Sequence, residues 1–263
     1  IGLLIMWLRA AAGHPEGRRT ALRYAGGLVF AQTLWVLYLF VPHDIVIPAF
    51  FVLGAIDLGV PLWAERAGHT PWHPHHIAER YSAMFIIVLG ETILSTTIAI
   101  QTAIDDEIVG PEVVSVIIGA LVILLSLWWI YFGREAADLL TNNQVGYIWG
   151  LGHYLIYAAA AALGAGLAAR VDYYDQHSEV SDLVTSAFVT GPVIVFLLSF
   201  WVCVIRLHDP SSRTWGPLIA VVVTLVAVTW LPYTELWVGL ICVLMVVAEL
   251  RPAPERLDVV AAD

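Results

Sequence analysis

The sequence predicts an all-α fold, a polytopic integral membrane helical bundle. Of its 263 residues, 60% are hydrophobic and 13% are charged, and the mean hydropathy is +0.81. A soluble domain carries roughly 25% charged residues, so we expect the lipid bilayer to be the main partner of this chain. The apolar residues form long runs joined by short polar connections. Residues 1–263 are therefore predicted to form a single transmembrane helical domain.

Runs of about 20 apolar residues predict the individual helices. The first run, residues 1–8, is too short to cross a bilayer and begins at Ile1 without an initiator Met. We interpret it as a partial helix and expect N-terminal helices of the full-length protein to precede it. Short polar connections bound the eight complete transmembrane helices that follow. These helices are predicted near residues 20–41, 44–63, 78–101, 109–133, 145–169, 183–206, 216–231 and 235–250.

The arginine positions predict how these helices are oriented. Because successive helices alternate in direction, all but one of the 12 basic residues fall on the same side of the membrane. Basic residues favour cytoplasmic loops. The exception is Arg170, and the opposite side also receives the acidic stretches 105–107 and 172–182. The C-terminus is therefore predicted to be cytoplasmic.

Several functions are excluded by residue type. All 12 basic residues are arginine, and without lysine no retinal or pyridoxal Schiff base and no phosphate-binding GxxxxGK loop can form. Cys203 and Cys242 lie in apolar runs, which argues against a disulfide framework or a thiolate metal site. The formal net charge of -10 argues against a nucleic-acid partner.

Glu91 is the clearest candidate for a functional residue. It interrupts the apolar run from Tyr81 to Ile100, about 11 residues or roughly 16 Å from Arg80 at the cytoplasmic end, and so lies near mid-bilayer. An ionisable group at that depth is costly unless it is paired or hydrated. A structural hydrogen bond between helices is the alternative interpretation.

The same helix carries His76, Glu79 and Arg80 at its cytoplasmic end. Their spacing of i, i+3 and i+4 places them on one face. Arg80 and Glu91 point the same way because they are close to three turns apart, with His76 about 60° away. We expect a polar stripe that suits a proton path or a polar substrate. An interfacial cluster of side chains is the alternative.

Two further helices carry polar residues at similar depth. Asp57 is roughly 10 Å and His153 roughly 12 Å inside the cytoplasmic boundary at the rise of an α-helix. This agreement is expected if Asp57, Glu91 and His153 line one cavity. For His153, a core histidine bonded to a backbone carbonyl is the alternative.

Histidines are concentrated in the loop before Glu79. A structural zinc site needs four converging ligands, and Pro71 and Pro74 keep this segment extended. We therefore predict a solvated, titratable loop and no metal site. The histidines are His69, His73, His75 and His76.

The segment from His76 to Leu94 reads HIAERYSAMFIIVLGETIL. It resembles the signature of the bacterial low temperature requirement A (LtrA) family in its His, Glu-Arg and Leu-Gly-Glu residues and their spacing. Similar stretches are 56–58, 127–132 and Gly152-His153, so the resemblance covers most of the first two thirds of the chain. Family members carry an acidic residue after the Trp-Trp-x-Tyr-Phe run, whereas this chain has Gly133 at that position.

This resemblance implies a multi-pass inner-membrane protein linked to growth at low temperature, and it implies no established reaction. Members of the family are longer than this chain, which agrees with the expected N-terminal helices. No catalytic residue and no cofactor is assigned.

The polar residues themselves predict a transporter or channel-like protein in which Glu91 binds a proton or cation and Glu79 and Arg80 lie at the cavity mouth. One alternative is an intramembrane enzyme acting on lipid or lipid-linked substrates, with Glu91 or Glu79 as acid/base and His153 as partner. Another is a non-catalytic scaffold or sensor. A small ion or a lipid-like molecule is the expected ligand, and the sequence allows an oligomer.

Overall fold

The computed structural model describes residues 1–106, 110–175, 180–208, 211 and 214–250. Every regular element in these residues is helical, which confirms the all-α class. Short 3-10 turns lie before and after the third helix and before the sixth. The α-helices are α1 (Gly2–Gly13), α2 (Arg18–Tyr38), α3 (Val46–Ala64), α4 (Pro74–Asp105), α5 (Pro111–Phe132), α6 (Asn143–Tyr174), α7 (Asp182–Phe200), α8 (Arg206–His208), α9 (Trp215–Val228) and α10 (Thr234–Glu249).

Five helical segments among the described residues are long and apolar enough to cross a membrane. This finding supports an integral membrane protein. The segments extend α3 and α7 by the turns that adjoin them. They are His43–Ala67, Pro74–Asp105, Pro111–Phe132, Asn143–Tyr174 and Asp182–His208.

The other three predicted spans are helical but do not meet the same criteria. α2 begins with Arg18, Arg19 and, a turn later, Arg23, so its apolar part is shorter than the helix. α9 has 14 residues and α10 has 16, or roughly 21 and 24 Å, against a hydrocarbon core of about 30 Å. The count of eight spans stays a prediction.

The described residues form two compact units, and Ile1–Trp72 is the first. Within it, α1 packs on α2 and α2 packs on α3. Trp7 and Tyr24 stack with ring centroids 4.1 Å apart. A Cβ at Gly27 would come within 2.5 Å of the Val60 side chain, so the absence of a side chain at Gly27 lets α2 approach α3.

A buried carboxylate ends α3 in this unit. Glu65 accepts hydrogen bonds from the Tyr24 hydroxyl at 3.0 Å and from the Thr70 hydroxyl at 2.5 Å. The Thr70 amide donates to the same carboxylate at 3.0 Å, and His69 Nδ1 lies 3.3 Å from it. These contacts fix the connection after α3, a structural role that sequence reasoning did not assign.

The second unit is His73–Asp263. Its packing is dominated by three helix pairs: α6 with α7, α4 with α6, and α5 with α10. Small residues permit the close approach. A Cβ at Gly166 would overlap the Phe188 carbonyl, and one at Gly164 would lie 2.9 Å from Thr92 Cα. The Thr92 hydroxyl also donates to the Ala160 carbonyl at 2.8 Å.

A π-helical turn, Trp201–Ile205, follows α7 and places aromatic side chains on two sides. Single π turns inside helices widen the backbone locally and often occur at functional sites. Cys203 in this turn packs against Gly152 so closely that a Cβ there would overlap its sulfur. Val204 lines one cavity and Trp201 lines another, and Phe200, just before the turn, lines both.

Candidate functional site

A cavity of about 220 Å³ lies at the end of the second unit where α4 and α6 begin and α5 ends. We call it the vestibule. Backbone turns and helix ends from four elements surround it, which is why residues far apart in sequence meet here. Its lining residues are His75, Ala78, Glu79, Ser82, Tyr131, Phe132, Arg134, Glu135, Ala136, Ala137, Trp149, His153, Phe200 and Val204.

His153 lies at the base of the vestibule and is 1% exposed. Its Nδ1 is 2.7 Å from the Trp149 carbonyl, four residues earlier in α6, and its Nε2 is 3.1 Å from the Tyr131 hydroxyl. A carbonyl only accepts, so Nδ1 donates. In the neutral imidazole Nε2 then carries no proton, so it accepts a hydrogen bond from the Tyr131 hydroxyl. The pair is a hydrogen-bonded proton donor and acceptor facing the cavity.

Aromatic rings surround this pair and limit its contact with water. The Tyr81 and Trp149 rings have centroids 5.0 and 4.0 Å from the imidazole. Phe85, which is fully buried, stacks on Tyr131 at 4.0 Å. The enclosure holds Tyr131 and the imidazole in fixed positions.

Charged side chains line the open end of the vestibule. Glu79 and Glu135 are exposed, and His76 Nδ1 lies 3.9 Å from a Glu79 carboxylate oxygen. Arg134 pairs with Glu249 at 3.2 Å, with both side chains about one third exposed or less. The mouth therefore presents more acidic than basic groups, a balance that favours cations.

The predicted site residues are distributed as follows. Glu79 and His153 line the vestibule together, and His76 contacts Glu79 at the mouth. Arg80 is exposed on the same helix. Glu91 is exposed on α4 and is not part of the vestibule lining, because its neighbour Thr92 takes the position that faces α6.

Asp57 belongs to the first unit. It is half-buried on α3, and Trp35 Nε1 donates to its carboxylate at 3.4 Å. An indole N–H paired with a carboxylate links α2 to α3.

The histidine-rich segment brings some rings together. The His73 ring centroid lies 5.7 Å from that of His75 and 4.8 Å from that of His76. Among the described residues, no three His, Cys, Asp or Glu side chains are arranged to hold a metal ion.

Sequence reasoning missed a buried ionic cluster at the other end of the second unit. Arg170 on α6 is fully buried, and its Nη1 donates to Asp182 at 2.6 Å. Its Nε is 3.3 Å from Glu235 on α10, which is also fully buried. The Tyr174 hydroxyl bridges Arg170 and Glu235. We call these four residues the Arg170 cluster.

The Arg170 cluster joins the ends of four helices. Thr185 on α7 accepts from Arg170 Nη1 at 2.9 Å, and Ser115 on α5 hydrogen-bonds to Glu235. Glu235 lies in the first turn of α10, where the helix dipole stabilises a negative charge. One signal in the sequence could have revealed the cluster: Arg170 is the one basic residue on the acidic side.

The two polar sites occupy opposite ends of α6. His153 and Arg170 are 17 residues apart, or roughly 25 Å along the helix. Between them α6 packs tightly on α4 through Gly164 and Thr92. The second unit thus has a cavity at one end and a buried ionic cluster at the other.

Comparison with known proteins gives one result. Residues 1–249 match the family described as Bacterial low temperature requirement A protein (LtrA). Searches of the curated proteins and of the solved structures found no match. The match covers nearly the whole chain, including the vestibule and the Arg170 cluster, and so the chain belongs to the LtrA family.

Proposed function

We propose that this LtrA-family membrane protein is a transporter or channel-like protein that moves protons or a small cation. The observation that carries the proposal is the vestibule, an acidic-mouthed cavity that ends at the buried His153–Tyr131 hydrogen bond. Burying an ionisable side chain inside the membrane costs free energy, and such residues usually have a function. The link to growth at low temperature is part of this proposal and rests on the family.

Three carboxylates and two imidazoles have roles in the proposal. Glu79 and Glu135 at the mouth raise the local concentration of cations. His153 accepts or releases a proton through Tyr131. Glu91 is the mid-membrane carboxylate that binds the proton or cation on the exposed face of α4, and Arg80 and His76 flank its route from the cytoplasmic end.

The Arg170 cluster supports a mechanism with alternating access. A cavity open at one end and a buried ion pair closing the other are the features of one of the two states that such a mechanism requires. Opening the far end would separate Arg170 from Asp182, whose side chain is half exposed. In this proposal the described state faces the cytoplasm.

The test measures flux in proteoliposomes that contain the purified full-length protein, with dyes that report internal pH or cation concentration. The variants are Glu91→Gln, His153→Gln and Glu79→Gln. We expect Glu91→Gln and His153→Gln each to reduce flux by about tenfold or more, the effect of losing one proton-transfer group. Glu79→Gln should raise the cation concentration needed for half-maximal flux.

Glu16→Gln is the matched control, because Glu16 is an exposed acid outside the second unit. Its flux should equal that of the wild type. The proposal would be wrong if the wild type, Glu91→Gln and His153→Gln gave equal flux for protons and for several cations.

One observation favours a second function, an intramembrane enzyme acting on a lipid or lipid-linked substrate. Glu79 and His153, the expected acid/base pair, line the same cavity. Lipid profiles of cells with and without the gene, grown at low temperature, test it. A product that disappears without the gene and in His153→Gln would favour catalysis, and an unchanged profile would argue against it.

A further inference from the structure

A second hollow in the same unit is larger and mostly apolar. α5, α7, α9 and α10 enclose a groove of about 620 Å³. Phe200, Trp201 and Leu218 form its buried floor. Leu244 on its wall is 58% exposed, so the groove is open on that side. We call it the apolar groove.

One end of the apolar groove is polar. Arg134 and Glu249 lie there and pair through Nη2 and Oε1 at 3.2 Å. Arg134 lines the groove and its side chain is 34% exposed, so a cation is available to an occupant. An occupant of the groove should therefore carry acceptor oxygens as well as an apolar part.

The length of the groove matches one leaflet. Along α10 its lining runs from Ile241 to Glu249, eight residues or roughly 12 Å. Half of a typical hydrocarbon core is about 15 Å. The groove is thus long enough for most of one acyl chain, with the guanidinium of Arg134 at its polar end.

We propose that the apolar groove binds one acyl chain of an anionic membrane phospholipid, with its phosphate on Arg134. A guanidinium has five donors, so Arg134 can keep Glu249 on Nη2 while another of its N–H groups binds a phosphate oxygen. The planar guanidinium matches the geometry of phosphate as well as carboxylate oxygens. The surrounding bilayer supplies phospholipid at the highest concentration of any amphiphile. The site does not depend on the transport proposed above.

The test is native mass spectrometry of the full-length protein after exchange into micelles that contain equal amounts of phosphatidylglycerol and phosphatidylcholine. The wild type should retain one phosphatidylglycerol in preference to phosphatidylcholine. Arg134→Gln should reduce that preference about tenfold, the loss of one charge-assisted hydrogen bond. Ala220→Phe fills the groove from α9 and should abolish retention of both lipids.

Ala227→Phe is the matched control, since Ala227 is exposed on α9 and is not part of the groove lining. It should retain lipid as the wild type does. If Ala220→Phe fails to fold, Ala248→Phe fills the groove from α10 instead and should give the same loss.

Three outcomes would overturn the proposal. Equal retention by the wild type and both filled variants would mean that the lipid is annular. Equal retention of phosphatidylglycerol and phosphatidylcholine by the wild type would remove the role of Arg134. Displacement of phosphatidylglycerol by stoichiometric oleate would identify a free fatty acid as the occupant.

Discussion

The hydrogen bond between Tyr131 and His153 can be tested by removing one oxygen. In Tyr131→Phe, the buried Nε2 of His153 loses its donor, which should cost about 1–3 kcal/mol of unfolding free energy. Denaturant titration in detergent micelles measures the change. Tyr154→Phe is the control, because Tyr154 is 57% exposed on the same helix as His153. Equal losses in the two variants would contradict the described hydrogen bond.

A single substitution in the Arg170 cluster should lower the free energy of unfolding more than Tyr131→Phe does. Glu235→Gln leaves the guanidinium of Arg170 fully buried with only the half-exposed Asp182 as a charged partner. Breaking a buried ion pair typically costs about 3–5 kcal/mol. Glu249→Gln breaks the partly exposed pair with Arg134 and should cost less than about 1 kcal/mol.

Thermal unfolding of both variants beside the wild type measures this difference. A loss for Glu235→Gln no larger than that for Glu249→Gln would show that the Arg170 cluster is not the buried ionic cluster described here. A double variant, Arg170→Met with Glu235→Leu, should recover part of the stability because it removes both buried charges.

At the scale of elements, the contact between α6 and α7 depends on glycine. In Gly166→Ala, the added methyl group would overlap the Phe188 carbonyl. The backbone must move to make room for it, which should lower the free energy of unfolding by about 1–3 kcal/mol. Gly191→Ala on α7 meets no atom within 4 Å and should instead stabilise by roughly 0.5–1 kcal/mol. Opposite signs in denaturant titrations are expected. A loss of the same size in both would argue against the close packing.

Hydropathy predicted these helices well but their ends less well. The predicted span 78–101 lies inside α4, which runs from Pro74 to Asp105, because helical hydrogen bonds continue into the polar interface beyond the apolar run. The face that each residue takes was harder to predict. Glu91 and Thr92 are neighbours, and only the packing of α4 on α6 decides that Thr92 is buried and Glu91 exposed.

At the scale of the whole molecule, the pairing of distant residues was beyond sequence reasoning. Arg170 and Glu235 are 65 residues apart in the sequence, and only tertiary packing brings them together. Helical depth predicted one cavity for Asp57, Glu91 and His153, and helical spacing placed Glu79 at its mouth. In the structure His153 and Glu79 line the vestibule, whereas Glu91 and Asp57 are not part of its lining. The membrane depth of a residue can be predicted from its position in one helix. Its side-chain partner depends on how two helices are rotated against each other.

The proposed orientation of the molecule can be tested by labelling cysteine variants with an impermeant thiol reagent. Asp138 follows α5 on the predicted cytoplasmic side, and Asp106 follows α4 on the other; both are exposed. In inside-out membrane vesicles, Asp138→Cys should react and Asp106→Cys should not. In right-side-out vesicles the pattern should reverse, and the opposite pattern would invert the proposed topology.

The most direct test of the account asks whether the vestibule brings water and ions to the base where His153 lies. Ser82 lines the vestibule, and Thr92, further along α4, is 1% exposed in the packed interface with α6. Ser82→Cys and Thr92→Cys are made in a background where Cys203 and Cys242 are replaced by alanine, and both variants are treated with a cationic, impermeant thiol reagent in inside-out vesicles. We expect rapid modification of Ser82→Cys, slowed by the transported cation, and no modification of Thr92→Cys. An unreactive Ser82→Cys, in protein that still folds, would contradict it.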